Sequence, residues 1–176
     1  MLVSRVKDPE PGDYFDVALA LRGGSLLHAT NQAGTMTSCK DECEALMSSV
    51  LPVAERMLIE HRALRPFGST LFADGRMAQV GGWVAGTEPL TAQLVAEFEH
   101  SFRDGARRGE LKATALLEPV TVVPPGKGEP ESAVSVRLDH RDAYSVVVTF
   151  PYRFSLTGEL EIDEPFAVDG EYGIFQ

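Results

Sequence analysis

Two cysteines and a histidine come nearest to a metal-binding pattern in this chain. Cys39 and Cys43 are four residues apart, so they share one face of a predicted helix, and His61 follows on the same helix. A zinc site needs about four ligands in a tetrahedral array. A straight helix would hold His61 roughly 27–33 Å from the cysteines. We therefore predict no metal site and no cofactor, and we interpret both cysteines as reduced thiols.

Two short motifs suggest catalysis but are incomplete. His140-Arg141-Asp142 matches three letters of a kinase catalytic loop, and Pro125-Gly126-Lys127 resembles part of a phosphate-binding loop. The other glycines and partner motifs that those sites require are missing, so we predict a turn and a loop. Carboxylates such as Glu99 occupy helix positions that we expect to be solvated. No catalytic residue is predicted; whether the protein is an enzyme stays open, and a non-enzymatic role is favoured.

Five side chains are the first candidates for a ligand site between sheet and helices: Arg65, Trp83, His100, Arg137 and Arg153. A pocket that gathers several of them around a histidine with a perturbed pKa would favour a ligand-binding protein or an enzyme. A sheet face filled only by leucine, valine and phenylalanine would argue against such a site.

The elements that must position these side chains begin at Ser38. Ser38 and Asp41 form the pattern of a capping box, which predicts a helix over residues 39–64. Pro52 removes a helical hydrogen bond, so we expect a kink near residues 48–49 or two shorter helices. His61 continues the apolar stripe at the end of this helix.

A hairpin, a second helix and three strands follow. Asp74-Gly75 predicts a tight turn between strands 69–73 and 76–80. A second helix begins at Thr87, and its basic residues near the C-terminus, including Arg103, suit the helix dipole. The last strands span residues 111–123, with a break at Pro119, then 132–139 and 143–153.

This order predicts one α+β domain, with about five mainly antiparallel strands and two helices on one face. The expected core is apolar and comes from both helices and the last two strands: Leu46, Val50, Met57, Leu94, Phe98, Val136, Val146 and Val148. The domain covers residues 38–176. Residues 1–37 are predicted to be an N-terminal extension, either a hairpin or a segment upstream of a natural start at Met36.

The charge of the chain limits its partners. The formal net charge is −10, which disfavours nucleic acid and anionic membrane surfaces and suits a basic protein partner. No apolar run approaches the roughly 18 residues of a membrane span. We therefore expect a cytoplasmic protein with a protein partner, no nucleic acid and no membrane.

Several short segments resemble a group of small bacterial α+β proteins that has no established activity. They are Leu51-Pro52-Val53-Ala54, Arg65-Pro66-Phe67-Gly68, Ala73-Asp74-Gly75, Val123-Pro124-Pro125-Gly126 and Phe150-Pro151-Tyr152-Arg153. The element order is also similar to that of roadblock domains, although the final helix usual there has no counterpart. That similarity implies a cytosolic homodimer that regulates small GTPases or motors.

Three functions follow as hypotheses. The first is a non-enzymatic interaction module, for example an immunity-like protein that masks a basic partner. The second is a small-ligand-binding protein or enzyme with a pocket between sheet and helices. The third is a roadblock-like dimeric scaffold.

Overall fold

The computed structural model describes residues 38–81 and 91–176. Its elements are α1 Cys39–His61, β1 Phe67–Phe72, β2 Met77–Val80, α2 Thr91–Arg107, β3 Leu111–Val122, β4 Glu131–His140, β5 Tyr144–Phe154, β6 Leu160–Ile162 and β7 Phe166–Asp169. The predicted α+β class is confirmed. The proposed N-terminal extension with Met36, the start of the second helix at Thr87, and Trp83 all lie outside the described residues.

Helix α1 begins and ends on local signals. The Ser38 hydroxyl accepts a hydrogen bond from the Asp41 N–H, and the Asp41 carboxylate accepts one from the Ser38 N–H, which confirms the capping box. Arg62 closes the helix in the left-handed conformation (φ 54°), earlier than the predicted end at residue 64. Of the two outcomes expected at Pro52, division into two shorter helices is wrong, since α1 is a single helix through that residue; the kink near residues 48–49 stays a prediction.

The described strands form an antiparallel sheet in the order β2-β1-β3-β4-β5-β6, with β7 beside β6 on the same edge of β5. The sheet therefore has seven strands, where about five were expected. The two additional strands, β6 and β7, lie in the acidic C-terminal segment. They are too short and too polar for the sequence to predict them as strands. Strand β3 is continuous through Pro119 and pairs with β4 from Ala113 to Val122.

The two helices cover opposite faces of the sheet, which corrects the prediction that both lie on one face. Helix α1 packs on Ala113, Ala115 and Leu117 of β3. Helix α2 packs through Phe102 on Leu111 and Leu116. Successive residues of a strand point to opposite faces. Because β3 is buried at consecutive positions from Ala113 to Leu117, it needs a layer on each side.

The predicted core residues divide accordingly. Leu46, Val50 and Val136 are fully buried, whereas the other five are only partly buried: Met57, Leu94, Phe98, Val146 and Val148. His61 was expected to extend the apolar stripe, but its side chain is exposed. None of the described helices has the length and apolar character that would be needed to cross a membrane.

Candidate functional site

A cavity of about 440 Å³ lies on the α2 side of the sheet, and we call it the α2 groove. Its floor carries polar side chains of β3, β4 and β5, and α2 and the C-terminal segment form its walls. The floor polar residues are Thr114, Arg137, Asp139 and Ser145. Ordinary small-molecule pockets hold about 300–1,000 Å³, so the size fits a small ligand.

Two arginines and two glutamates form one network at the groove. Arg137 Nη1 donates to Glu99 Oε1 at 2.6 Å, and Arg103 Nη2 donates to Glu99 Oε2 at 2.8 Å. Arg137 Nε also lies 3.1 Å from Glu118 Oε1, near enough for an ion pair but not aligned as a hydrogen bond. Arg103 Nε donates to the Gly173 carbonyl at 3.0 Å, which joins α2 to the C-terminal segment.

The Glu99 carboxylate stays ionised in this network. Burial alone would raise the pKa of Glu99, but hydrogen bonds from Arg137 and Arg103 outweigh burial and lower its pKa. The Glu99 side chain is only 21% exposed. Sequence reasoning placed Glu99 at a solvated helix position and assigned Arg103 to the helix dipole. The structure corrects both assignments, because the side of α2 that carries Glu99 and Arg103 faces the sheet.

Two polar side chains of the groove floor lack partners among the described residues. Thr114 and Asp139 stand directly opposite each other in the β3–β4 register. Thr114 is only 2% exposed and Asp139 is partly buried. Within the described part of the chain, neither side chain makes a hydrogen bond or an ion pair. Buried polar groups usually have a partner, so this pair, like the buried Nε and Nη2 atoms of Arg137, is a part of the floor without one.

The C-terminal segment is fixed in place beside this pair. Ser145 Oγ accepts a hydrogen bond from the Tyr172 N–H at 3.2 Å, and the Ser145 carbonyl accepts one from the Gly170 N–H at 3.1 Å. A side chain at Gly170 would place its Cβ only 2.0 Å from Ser145 Oγ. Ile174 is buried against Phe102. The wall of the groove is therefore part of the folded domain.

Of the five predicted site residues, the structure places Arg137 in the α2 groove. Arg65 lies between α1 and β1 and is partly buried. The His100 side chain is 73% exposed and pairs with Asp104 outside the groove. Arg153 is exposed on β5. The fold therefore keeps the described candidates apart, and they do not form the site that was expected to gather them.

Arg153 instead belongs to a surface ion-pair group. Its Nε lies 2.7 Å from Glu161, and its Nη1 lies 3.2 Å from Asp163. Lys127 joins the same group through Asp163 at 2.7 Å. Exposed pairs of this kind contribute little to stability, and they leave no open cationic site.

The groove residues that sequence reasoning missed did carry a signal. Glu99 and Arg103 have the i, i+4 spacing of a helical ion pair. Asp139 belongs to the polar half of the alternation in β4, together with Ser135 and the predicted Arg137. Such a polar strand face is usually solvated, and the sequence does not show that α2 borders it.

A second polar cluster lies on the α1 side. His140 ends β4 and is fully buried, with Nε2 2.7 Å from Glu42 Oε2. His140 Nδ1 accepts the Asp142 N–H at 3.0 Å, so Nε2 carries the proton that is donated to Glu42. Lys112, the extra residue at the β1–β3 register shift, pairs with the other oxygen of Glu42. These residues fasten α1 to the sheet, and the predicted turn begins after His140.

Within residues 38–81 and 91–176, no group of three or more histidine, cysteine, aspartate or glutamate side chains could hold a metal ion. Comparison with protein-family models, with curated proteins and with solved structures found no match. The resemblance to small bacterial proteins and to roadblock domains therefore stays a prediction.

Proposed function

We propose that the protein is a small-ligand-binding protein and that the α2 groove is its binding site. The observation that carries this proposal is the pair formed by Thr114 and Asp139. Both face a cavity of small-molecule size, and neither has a partner among the described residues. A ligand that bonds to both would supply the partners that these two side chains lack.

The sheet face supports a site in a second way. Polar side chains of three neighbouring strands converge there, beside apolar surface from Phe102, Leu116 and Val147. Small-ligand pockets typically combine apolar walls with a few well-placed polar groups. None of the three described histidines, His61, His100 and His140, lines the groove. We therefore favour binding over acid–base catalysis.

Ligand-detected and protein-detected NMR of the full chain with a panel of small metabolites would test this proposal. We expect at least one compound to shift the backbone amides of Thr114 and Asp139. Thr114→Val keeps the shape of the side chain but removes the hydroxyl, so binding should weaken about five- to thirtyfold for one lost hydrogen bond. The matched control is Thr121→Val, an exposed position on the same strand, which should leave binding unchanged.

Two results would contradict the proposal. The first is that no compound in the panel shifts the groove amides. The second is that a compound shifts them equally in wild type and Thr114→Val, because its site would then not depend on the floor pair.

A second candidate function is the interaction module for a basic protein. Its support is the net charge of −10 and the C-terminal segment 155–176, which contains acidic but no basic residues. Electrostatic association should weaken as salt is raised. Recovery of one specific partner at low salt, lost on charge reversal at the exposed Glu164, would support it.

Sedimentation of the free chain as a monomer at high concentration would argue against the homodimer of the roadblock-like hypothesis.

A further inference from the structure

We propose that the ligand of the α2 groove carries an ammonium group bound by Asp139 beside the Thr114 hydroxyl. This inference rests on the proposed function and adds the charge and chemical class of the ligand. It begins from the balance of charges in the groove. Arg137 and Arg103 are matched by Glu99 and Glu118, to which they are joined by hydrogen bonds and ion pairs.

Asp139 is the charge that remains on the floor. Its carboxylate has no ion-pair partner among the described residues, and the groove wall adds Asp169 and Glu171 of the same sign. The field in the groove is therefore negative in spite of the two arginines. A charged ligand loses hydrating water when it binds, so the site must offer compensating interactions. In this groove the negative charge compensates a cation.

The two arginines are poorly placed to bind an anion. Arg137 Nη1 is taken by Glu99. Arg137 Nε and Nη2, the edge that would grip a carboxylate, are both buried away from solvent without hydrogen-bond acceptors. Glu118 already lies beside Nε. An anion in the groove would have to displace a carboxylate to reach that edge.

The geometry of the floor suits a primary ammonium group. Residues directly opposite in an antiparallel pair have Cβ atoms about 4.5–5.5 Å apart, so the Asp139 carboxylate and the Thr114 hydroxyl can both reach one nitrogen. An ammonium group has three N–H donors, and both side chains can accept from it. Apolar surface from Phe102 and Val147 lies in the same groove and would receive the rest of an amphipathic amine.

Three matched probes test the charge: 2-phenylethylammonium, 2-phenylethanol and 3-phenylpropanoate. Each would be titrated into the full ¹⁵N-labelled chain at pH 7 and low salt, with the groove amides as the signal. We expect the ammonium probe to bind about tenfold more tightly than the alcohol, the size of one partly buried charged hydrogen bond. The carboxylate probe should bind more weakly than the alcohol.

Two variants locate the effect. Asp139→Asn keeps the shape of the side chain and should remove the roughly tenfold preference for the ammonium probe, leaving the alcohol nearly unchanged. Glu164→Gln removes one negative charge at an exposed position outside the groove and should preserve the preference. The probe comparison itself needs only the wild-type chain, so it decides the question even if Asp139→Asn does not fold.

Equal affinity for the ammonium and alcohol probes, or preference for the carboxylate, would overturn this inference. If a neutral or anionic metabolite still binds at the groove in that case, the proposed function stands without the charge assignment. If neither the probes nor the metabolite panel shift the groove amides, both proposals fail. A preference that survives Asp139→Asn would also refute the role given to Asp139.

Discussion

Gly68 of β1 lies against the Phe102 ring of α2, and replacing it by alanine should destabilise the protein. The new Cβ would stand 2.7 Å from Phe102 Cζ and 2.8 Å from the Ala115 carbonyl oxygen. Carbon atoms in good contact are about 3.5–4.0 Å apart, so the Phe102 ring would have to move by roughly 1 Å. The Ala115 oxygen belongs to the β1–β3 ladder and cannot move without disturbing it.

The expected loss follows from two opposing effects. Overpacking a buried site costs about 1–3 kcal/mol. Alanine also restricts the unfolded chain, which returns about 0.4–1 kcal/mol. We therefore expect the free energy of unfolding to fall by about 1–2 kcal/mol, which lowers Tm by roughly 2–8 °C for a chain of this size.

Urea unfolding of the full chain, with both ΔG and the m-value fitted, measures this effect. Gly81→Ala is the matched control, because among the described residues its Cβ would meet only Phe67 Cβ, at an ordinary 3.8 Å. That variant should be neutral or slightly stabilising. Phe102→Leu removes the Cζ atom, so it should cost less in Gly68→Ala than in wild type, with a coupling of at least about 0.5 kcal/mol. Equal stability of Gly68→Ala and Gly81→Ala would refute the close approach of α2.

Three further predictions follow. Phe102→Ala should cost about 3–5 kcal/mol in urea unfolding, since the ring is only 2% exposed, and Phe98→Ala should cost clearly less; the reverse order would contradict the packing of α2. Burial would raise the pKa of Glu42, but hydrogen bonds from Lys112 and His140 outweigh burial and lower its pKa below the ordinary value of a glutamate, so its contribution to stability is present above the unfolded pKa and is lost as pH falls through the folded pKa. Glu42→Gln should therefore flatten the acid limb of stability against pH, and an unchanged limb would refute this. Burial raises the pKa of the Cys43 thiol to about 12, so a thiol reagent at pH 8 should label Cys43 only after unfolding, and rapid labelling of the native protein would contradict its position.

Elements that depend on near neighbours in the chain could be predicted from the amino-acid sequence. The capping box of Ser38 and Asp41 sets the start of α1, because both hydrogen bonds join residues three apart. Asp74-Gly75 sets the first hairpin, since Gly75 takes the positive φ that other residues avoid. The α+β class follows from the order of such elements. Of the four predicted site residues that the structure describes, Arg137 is the one that lines the groove.

The face of the sheet that each helix covers could not be predicted from local sequence patterns. The side chains of β3 are buried on both faces of the sheet. The sequence of β3 does not show which helix covers each face. Contacts such as Gly68 with Phe102, Arg137 with Glu99, and Glu42 with His140 join residues far apart in the chain. The free energy of each contact depends on the distance between its two residues in the folded chain. No periodic pattern in the sequence indicates that distance. The α2 groove exists because of such contacts, so its floor could be identified only once the two helices were placed.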